Sequence, residues 1–423
     1  MKRSLRVLAC LLCVVTSASA PSRDDPTDWI DPDTGHRVIR LSAQRGSQTL
    51  YFHDNAYSPE GDKYVFSGPS GIMLLDLTTL GAQPPKPELI VPGGSGAYMA
   101  RRSRDVYFTR RGSAAAGVSA YNIDTKTTRA VPNAVRTLIN ADETITVAAI
   151  AAEDPSGNTP RPAAREPRPQ LERMFPGKTL DQLSPEQQYA VTKEGGLARR
   201  AINPDGMAFV FTSLKTGDAH TVGYQYGWLN HMQFNPADPS LLLYCHEGTW
   251  HEVDRIWTIR TDGTEMTLRH KRTMDMEIAG HEFWSFDGKT VWFDLQTPRS
   301  QVFWIAGVDI ASGKETRYHI DRDGWSVHYN VSRDNTLFMG DGGDETQVAF
   351  SNHGRWINLF TVLPGDSVRR EKLVNMAKHN YVTGRGGVEP NGSITPDKKW
   401  VIFTGNFHGA RHVYAVEIAG SVK

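Results

Sequence analysis

Short runs in which apolar and polar residues alternate recur along this chain, each led into by a tight polar turn. The pattern is a Ser or Thr, then Pro or a polar residue, then Asp-Gly or its like, then a β-rich run. It stands as Ser58-Pro59-Glu60-Gly61 before Tyr64-Val65-Phe66, and as Ser285-Phe286-Asp287-Gly288 before Val291-Trp292-Phe293. It returns as Ser332-Arg333-Asp334-Asn335 before Leu337-Phe338, and as Thr395-Pro396-Asp397 before Trp400-Val401-Ile402-Phe403. Weaker copies begin at Ser103, near Ala141 and at Asn235. Each copy predicts a hairpin. A second hairpin usually follows, as at Leu74-Leu75-Asp76-Leu77 and Val413-Tyr414-Ala415-Val416.

Two hairpins make a four-stranded sheet, and units of roughly 40–50 residues with four strands each are the pattern of a propeller. Seven such units are present. The predicted fold is therefore all-β, a seven-bladed β-propeller with TolB/WD40-like repeats. The strand around His36-Arg37-Val38-Ile39-Arg40-Leu41 is expected to join the last blade and close the ring. Residues 21–423 then form one domain, although their length alone would allow two or three. Residues 153–201 break the pattern. They are rich in Pro, Arg, Glu and Gln, with a helical stretch over 179–195, and fall inside the third blade. They form either a lid over one face or a solvated excursion.

Composition narrows the partners. Lys plus Arg and Asp plus Glu both number 47, a formal net charge of zero, which argues against nucleic acid or an anionic membrane surface as the ligand. Residues 1–20 have the form of a secretory signal: basic Lys2, Arg3 and Arg6, an apolar run, then Ala18-Ser19-Ala20. A periplasmic or secreted protein is expected. Cys10 and Cys13 would leave with the signal, so Cys245 would stand alone as a structural thiol.

Candidate chemistry concentrates between Tyr244 and Gly288, where His246, His251 and His281 lie among carboxylates, arginine and tryptophan. Aligning the blades on their turns sharpens this. Four positions before its turn, the chain carries His231, His281, His328 and Asn391, with Asp54 in the first blade and His53 beside it. That position begins the innermost strand, and equivalent positions of successive blades converge near the axis. Imidazoles, the Glu389 carboxylate and the Asn391 amide oxygen suit a borderline divalent ion, with His379 as an additional ligand. There is no Gly-rich phosphate loop, Gly-x-Ser-x-Gly elbow or Cys-x-x-Cys pair.

At these residues the chain resembles the oligogalacturonate lyases, seven-bladed propellers of the pectin pathway. The resemblance rests on Tyr244-Cys245-His246-Glu247-Gly248, Val253-Asp254-Arg255-Ile256-Trp257, His281-Glu282-Phe283-Trp284 and Met339-Gly340-Asp341-Gly342. It implies β-elimination. The proton at C5 of a uronic acid is removed, the O4 substituent leaves, and a 4,5-unsaturated sugar results. It further implies a divalent cation, Mn2+, that neutralises the carboxylate, and a histidine base. The family's base lies in a Trp-Leu-x-His segment, matched by Trp228-Leu229-Asn230-His231, and its metal histidine matches His281.

Two departures stand out. The family's last-blade ligands, two histidines with a glutamine upstream, are replaced by Glu389, Asn391 and Gly386. The family's arginine on the outer hairpin before the base is missing, because 207–214 holds none. Arg199, Arg200 or Arg255 would have to substitute. The expected site thus has His231 and Arg255 as catalytic groups and His53, His246 and Trp250 as substrate contacts. Its metal set is His281, His328, Glu389, Asn391 and His379, and its partner is a uronic-acid oligosaccharide. Two other readings compete: a TolB-like propeller that binds a protein or glycan without catalysis, and a hydrolase using Glu247, Glu252 or Asp254.

Overall fold

The computed structural model describes residues 26–110, 117–163, 169–382 and 386–419; the leader segment lies outside them. The repeated turns fold as one motif because a buried hydroxyl serves both arms. The Ser285 hydroxyl donates to Asp287 at 2.6 Å and accepts the Thr290 N–H at 3.0 Å. Ser332 does the same with Asp334 and Leu337, and Thr395 with Asp397 and Trp400. The turns also interlock. Asn235 of one blade donates to the Gly288 carbonyl of the next at 2.8 Å. Gly288 sits at φ +69, and a Cβ there would come within 2.2 Å of the Asn235 amide oxygen, so glycine is required.

Seven antiparallel sheets follow in chain order. Blades 2, 4, 5 and 6 have four strands. Blades 1 and 3 have three, their innermost segments being reduced to the single bridges Tyr57–Tyr64 and Ile139–Thr146. The last sheet has five, because Asp28–Ile30 and Arg37–Arg40 add to its outer edge, Val38 opposite Val416. The expected closure by the N-terminal strand is therefore present. Apolar side chains fill the gaps between neighbouring blades, such as Phe209, Phe234 and Tyr244 between blades 3 and 4. Trp292, Tyr329 and Phe360 do so between blades 5 and 6. No helix among the described residues is long and apolar enough to cross a membrane.

The insertion leaves blade 3 after the strand Ile145–Ala151 and returns at Gly206–Ser213. It holds a short helix α1 (Gln170–Met174), a 3-10 turn (Leu180–Gln182) and a longer helix α2 (Pro185–Ala201). Helix α2 starts later than the pattern predicts. Ser184 accepts the Gln187 N–H, Gln187 answers to the Ser184 N–H, and Pro185 occupies the first turn. It is docked and not a solvated excursion. Glu194 pairs with Arg299 of blade 5 at 2.9 Å, both side chains at most 3% exposed, and Ala190 and Ala198 are buried beside it. On α1, Arg173 pairs with Glu252 at 3.1 Å and Asp275 at 2.7 Å.

Blades 4 and 5 are joined by a titratable cluster. His270 lies 2.7 Å from Glu277 and 2.8 Å from Glu315. Burial alone would lower its pKa, but the two carboxylates outweigh it and raise the imidazole to about 9 from an ordinary 6.5. Its stabilisation is then complete below pH 6.5 and is lost as pH rises through 9. Glu277, held near 2, and Glu315 contribute above their ordinary 4.5. The stability gap between wild type and His270→Asn is expected to be largest between about pH 5 and 6.5, roughly 3 kcal/mol, and to close above pH 9. Urea denaturation across that range measures it; a gap independent of pH would show that His270 acts through shape alone.

Candidate active site

The inner strands of blades 4 and 5, Trp228–Phe234 and Ile278–Trp284, each carry a histidine at their fourth residue. Both backbones are left-handed there: His231 at φ +49 and His281 at φ +50, with Asn391 of the last blade at φ +47. This conformation costs roughly 1–2 kcal/mol for a residue with a Cβ. The pairing registers break at the same points, between Asn230 and Gln233 and between Gly280 and Phe283. The bulge turns the ring out of the strand alternation and towards the axis. His328, ahead of the strand Tyr329–Val331, reaches the same place with an ordinary backbone. The blade register thus places His231, His281, His328 and Asn391 around one end of the axis.

The rings pack against each other. His281 and His328 have centroids 4.7 Å apart, Phe52 stacks on His328 at 4.5 Å, and Tyr51 meets His231 at 5.7 Å. His328 is fully buried and oriented by Asp341, which accepts its backbone N–H and its Nδ1–H, each at 2.8 Å. The same carboxylate accepts the Asn391 N–H at 3.1 Å. Burial works against a charged His328, yet Asp341 prevails and raises its pKa. His328 Nε2 is buried without a hydrogen-bond partner and lies 3.8 Å from Glu389. Burial holds His281 well below its ordinary value, helped by His328 and Arg255; it is a neutral imidazole.

His231 Nε2 lies 3.3 Å from Glu247. Glu247 also takes Arg255 Nη1 at 2.8 Å and the Trp250 indole N–H at 3.3 Å. Arg255 reaches on with Nε to Glu282 at 2.9 Å. Burial would raise the pKa of Glu247, but Arg255 and His231 hold it well below the carboxylate range. The ligand atoms of His231, Cys245 and Glu247 lie within 4.8 Å of one another, close enough for a metal. Arg255 already balances that carboxylate, and burial pushes the Cys245 thiol well up. The trio is a carboxylate–imidazole pair beside a protonated thiol, a poor cage for a cation.

A cleft of about 700 Å³ opens here between blades 4 and 5 and helix α2. His231, His281, Trp250 and Arg255 line it from the propeller, Lys193, Arg199 and Arg200 from the helix. A second cleft of about 440 Å³ continues past His231 and Tyr51 to His53 and Arg136.

Several sequence expectations change here. His379 has no nitrogen left for an ion: Nε2 donates to the Val388 carbonyl at 2.7 Å and Nδ1 accepts the Asn406 N–H at 3.2 Å. The Asn391 oxygen accepts the Phe52 N–H and its NH2 donates to the Glu389 carbonyl, so this amide braces the turn. Arg255 is spent on two carboxylates and does not project to a ligand. His246 faces away, bonded to Gln225 at 2.6 Å and lining a different cleft with Asp254 and Arg272. His53 lies in a loop ahead of blade 1 instead of a strand, buried in side chain, with no hydrogen bond on either ring nitrogen and Nδ1 3.5 Å from Asp54. Its neighbour Asp54 lines the axial channel and not the cleft beside helix α2. The hydrolase carboxylates are all tied, Glu247 to Arg255, Glu252 to Arg173 and Asp254 to Arg272. Asp341 carries no expected role, although it stands in the Met339-Gly340-Asp341-Gly342 motif. Lys193 shows no sequence signal beyond its place on a helix.

Comparison with known proteins decides the family. The family model described as oligogalacturonate lyase matches residues 203–422, just over half of the chain. The chain belongs to the oligogalacturonate lyase family. Over 215 residues it is 29% identical to an oligogalacturonide lyase of Pectobacterium atrosepticum and 30% identical to an oligogalacturonate lyase of Dickeya dadantii. Each alignment covers 49% of this chain and 55% of the relative, so the match spans about half the length of these curated relatives. The fold agrees over almost the whole molecule. An oligogalacturonate lyase solved in complex with manganese superposes with a TM-score of 0.68 at 21% identity, over 93% of this chain and 96% of that one. An oligogalacturonate lyase from Vibrio parahaemolyticus gives 0.69 at 19% identity, over 94% and 97%. At this identity the likeness establishes the seven-bladed propeller.

The shared guanidinium predicts a stability effect. Arg255→Met would leave Glu247 and Glu282 buried without their cation, and a loss of about 3–5 kcal/mol is expected. Adding Glu282→Gln should recover part of it, because one orphaned charge is removed. Chemical denaturation of the single and double variants checks both; a double variant no more stable than the single would contradict the pairing.

Proposed function

We propose that this member of the family is a lyase that cleaves uronic-acid oligosaccharides by β-elimination, with His231 as the base. The observation that carries the reading is the His231–Glu247 pair in one cleft with His281, whose ring packs on the buried His328. A carboxylate only accepts, so Glu247 takes the Nε2–H of His231 and the basic lone pair is on Nδ1. No described residue hydrogen-bonds that nitrogen. The C5 proton of a uronate held in the cleft would pass to Nδ1, and Glu247 would stabilise the imidazolium. Arg255 keeps Glu247 ionised for this, and it shares the far carboxylate oxygen, Oε1, with the Trp250 indole N–H. The elimination then expels the O4 substituent and leaves the 4,5 double bond.

The residues also fit a divalent cation. His328 Nε2 is a buried donor with no partner, its ring fixed by Asp341 in the manner of a metal-bound histidine. The neutral His281 and the Glu389 carboxylate complete a mixed nitrogen and oxygen set suited to manganese, the ion in the solved relative. Such an ion would draw charge from the uronate carboxylate and so acidify C5–H.

Oligogalacturonate incubated with the mature protein, with Mn2+ or a chelator, should give a chelator-sensitive rise in ultraviolet absorbance. His231→Ala should lower that rate by about 10²–10⁴-fold with an unchanged circular dichroism spectrum. Retained activity would remove His231 as the base. Asp341→Asn should weaken Mn2+ binding by about 10–100-fold in an electron paramagnetic resonance titration; unchanged affinity would place the ion elsewhere.

A further inference from the structure

Helix α2 precedes residue 203, where the family match begins. It bears three cations on the cleft, and two of them stand over indoles. The Arg200 guanidinium lies 4.3 Å from the centre of Trp228, and the Lys193 ammonium 5.1 Å from the centre of Trp250. Trp228 opens the strand that carries His231, and Trp250 meets His281 at 5.7 Å. The two cation–indole pairs therefore flank the reacting groups. Among the described residues neither Lys193, Arg199 nor Arg200 has a carboxylate within ion-pair distance. The cleft's own acid, Glu247, is neutralised by Arg255. The helix that holds these cations is anchored by the buried Glu194–Arg299 pair, so they are fixed over the cleft.

Unpaired guanidinium and ammonium groups beside indole faces match a chain of acidic sugars. The cations take carboxylates, each held in place by the indole it stands over. We propose that α2 builds a second carboxylate subsite, in which Arg200 and Lys193 bind the uronates next to the reacting one. This rests on the lyase reading for the position of the reacting sugar. The substrate is then a run of contiguous, unesterified uronates.

The test is binding, so that it does not depend on turnover. Trigalacturonate and its methyl ester are titrated calorimetrically into the full-length His231→Ala protein, alone and with Arg200→Ala or Lys193→Ala added. The acid should bind about tenfold or more tightly than the ester. Each added substitution should weaken the acid by about five- to tenfold and leave the ester unchanged. Equal affinities for acid and ester, an acid affinity indifferent to both substitutions, or no binding of either sugar would overturn the subsite. The outcomes separate the two claims. Unsaturated product from wild type with unchanged acid binding in the variants removes only the subsite. Substitution-sensitive acid binding without any product removes only the lyase reading.

Discussion

One guanidinium holds the candidate site together. Arg255 immediately precedes the third strand of blade 4, Glu247 ends the second, and Glu282 lies on the inner strand of blade 5. The cation is therefore a tie between neighbouring blades as well as within one. Glu247 could not remain an ionised carboxylate in this buried place without it, and His231 would lose the partner that fixes its tautomer. The order of dependence runs from Arg255 to Glu247 to His231. A buried cation between two blades thus keeps ionised the carboxylate that pairs with His231.

A second constraint is conformational. Three residues from three blades adopt the left-handed backbone at one register position, His231, His281 and Asn391. A strand alone would send alternate side chains into the packed gaps between blades, where an imidazole would be desolvated to no purpose. The bulge lifts one residue per blade out of that alternation. Two of these residues present imidazoles to the cleft. The third, Asn391, has become part of the frame, held by Phe52, Glu389 and Asp341. The same backbone device serves a functional group in two blades and a structural one in the other.

The propeller was legible from sequence because its period is written twice, in the alternation of the strands and in the hydroxyl–Asp turns between them. The register of His231, His281 and His328 followed from those turns. Individual roles were less legible where they depend on what a side chain meets from a distant part of the chain. His379 reads like a ligand until the carbonyl of Val388 and the amide of Asn406 are seen on its two nitrogens. Arg255 reads like a substrate clamp until Glu282, 27 residues away, closes on it. Helix α2 was foreseeable, but its seat was not, because the Glu194–Arg299 contact joins residues more than a hundred positions apart.

The closure of the ring bears on how the molecule is made. The wall of the site that includes Phe52 comes from the start of the folded domain, and Asn391 and Glu389 come from near its end; they meet through the Phe52 N–H on the Asn391 amide. The last blade is completed by Arg37–Arg40, a strand that must wait for its partner at 412–417. On a growing chain, blades 2 to 6 can form in order of synthesis, whereas this seam is sealed only once the final blade has emerged. Assembly of the candidate site is in this way coupled to completion of the chain, and a nascent or truncated polypeptide carries its histidines without the enclosure that brings them together.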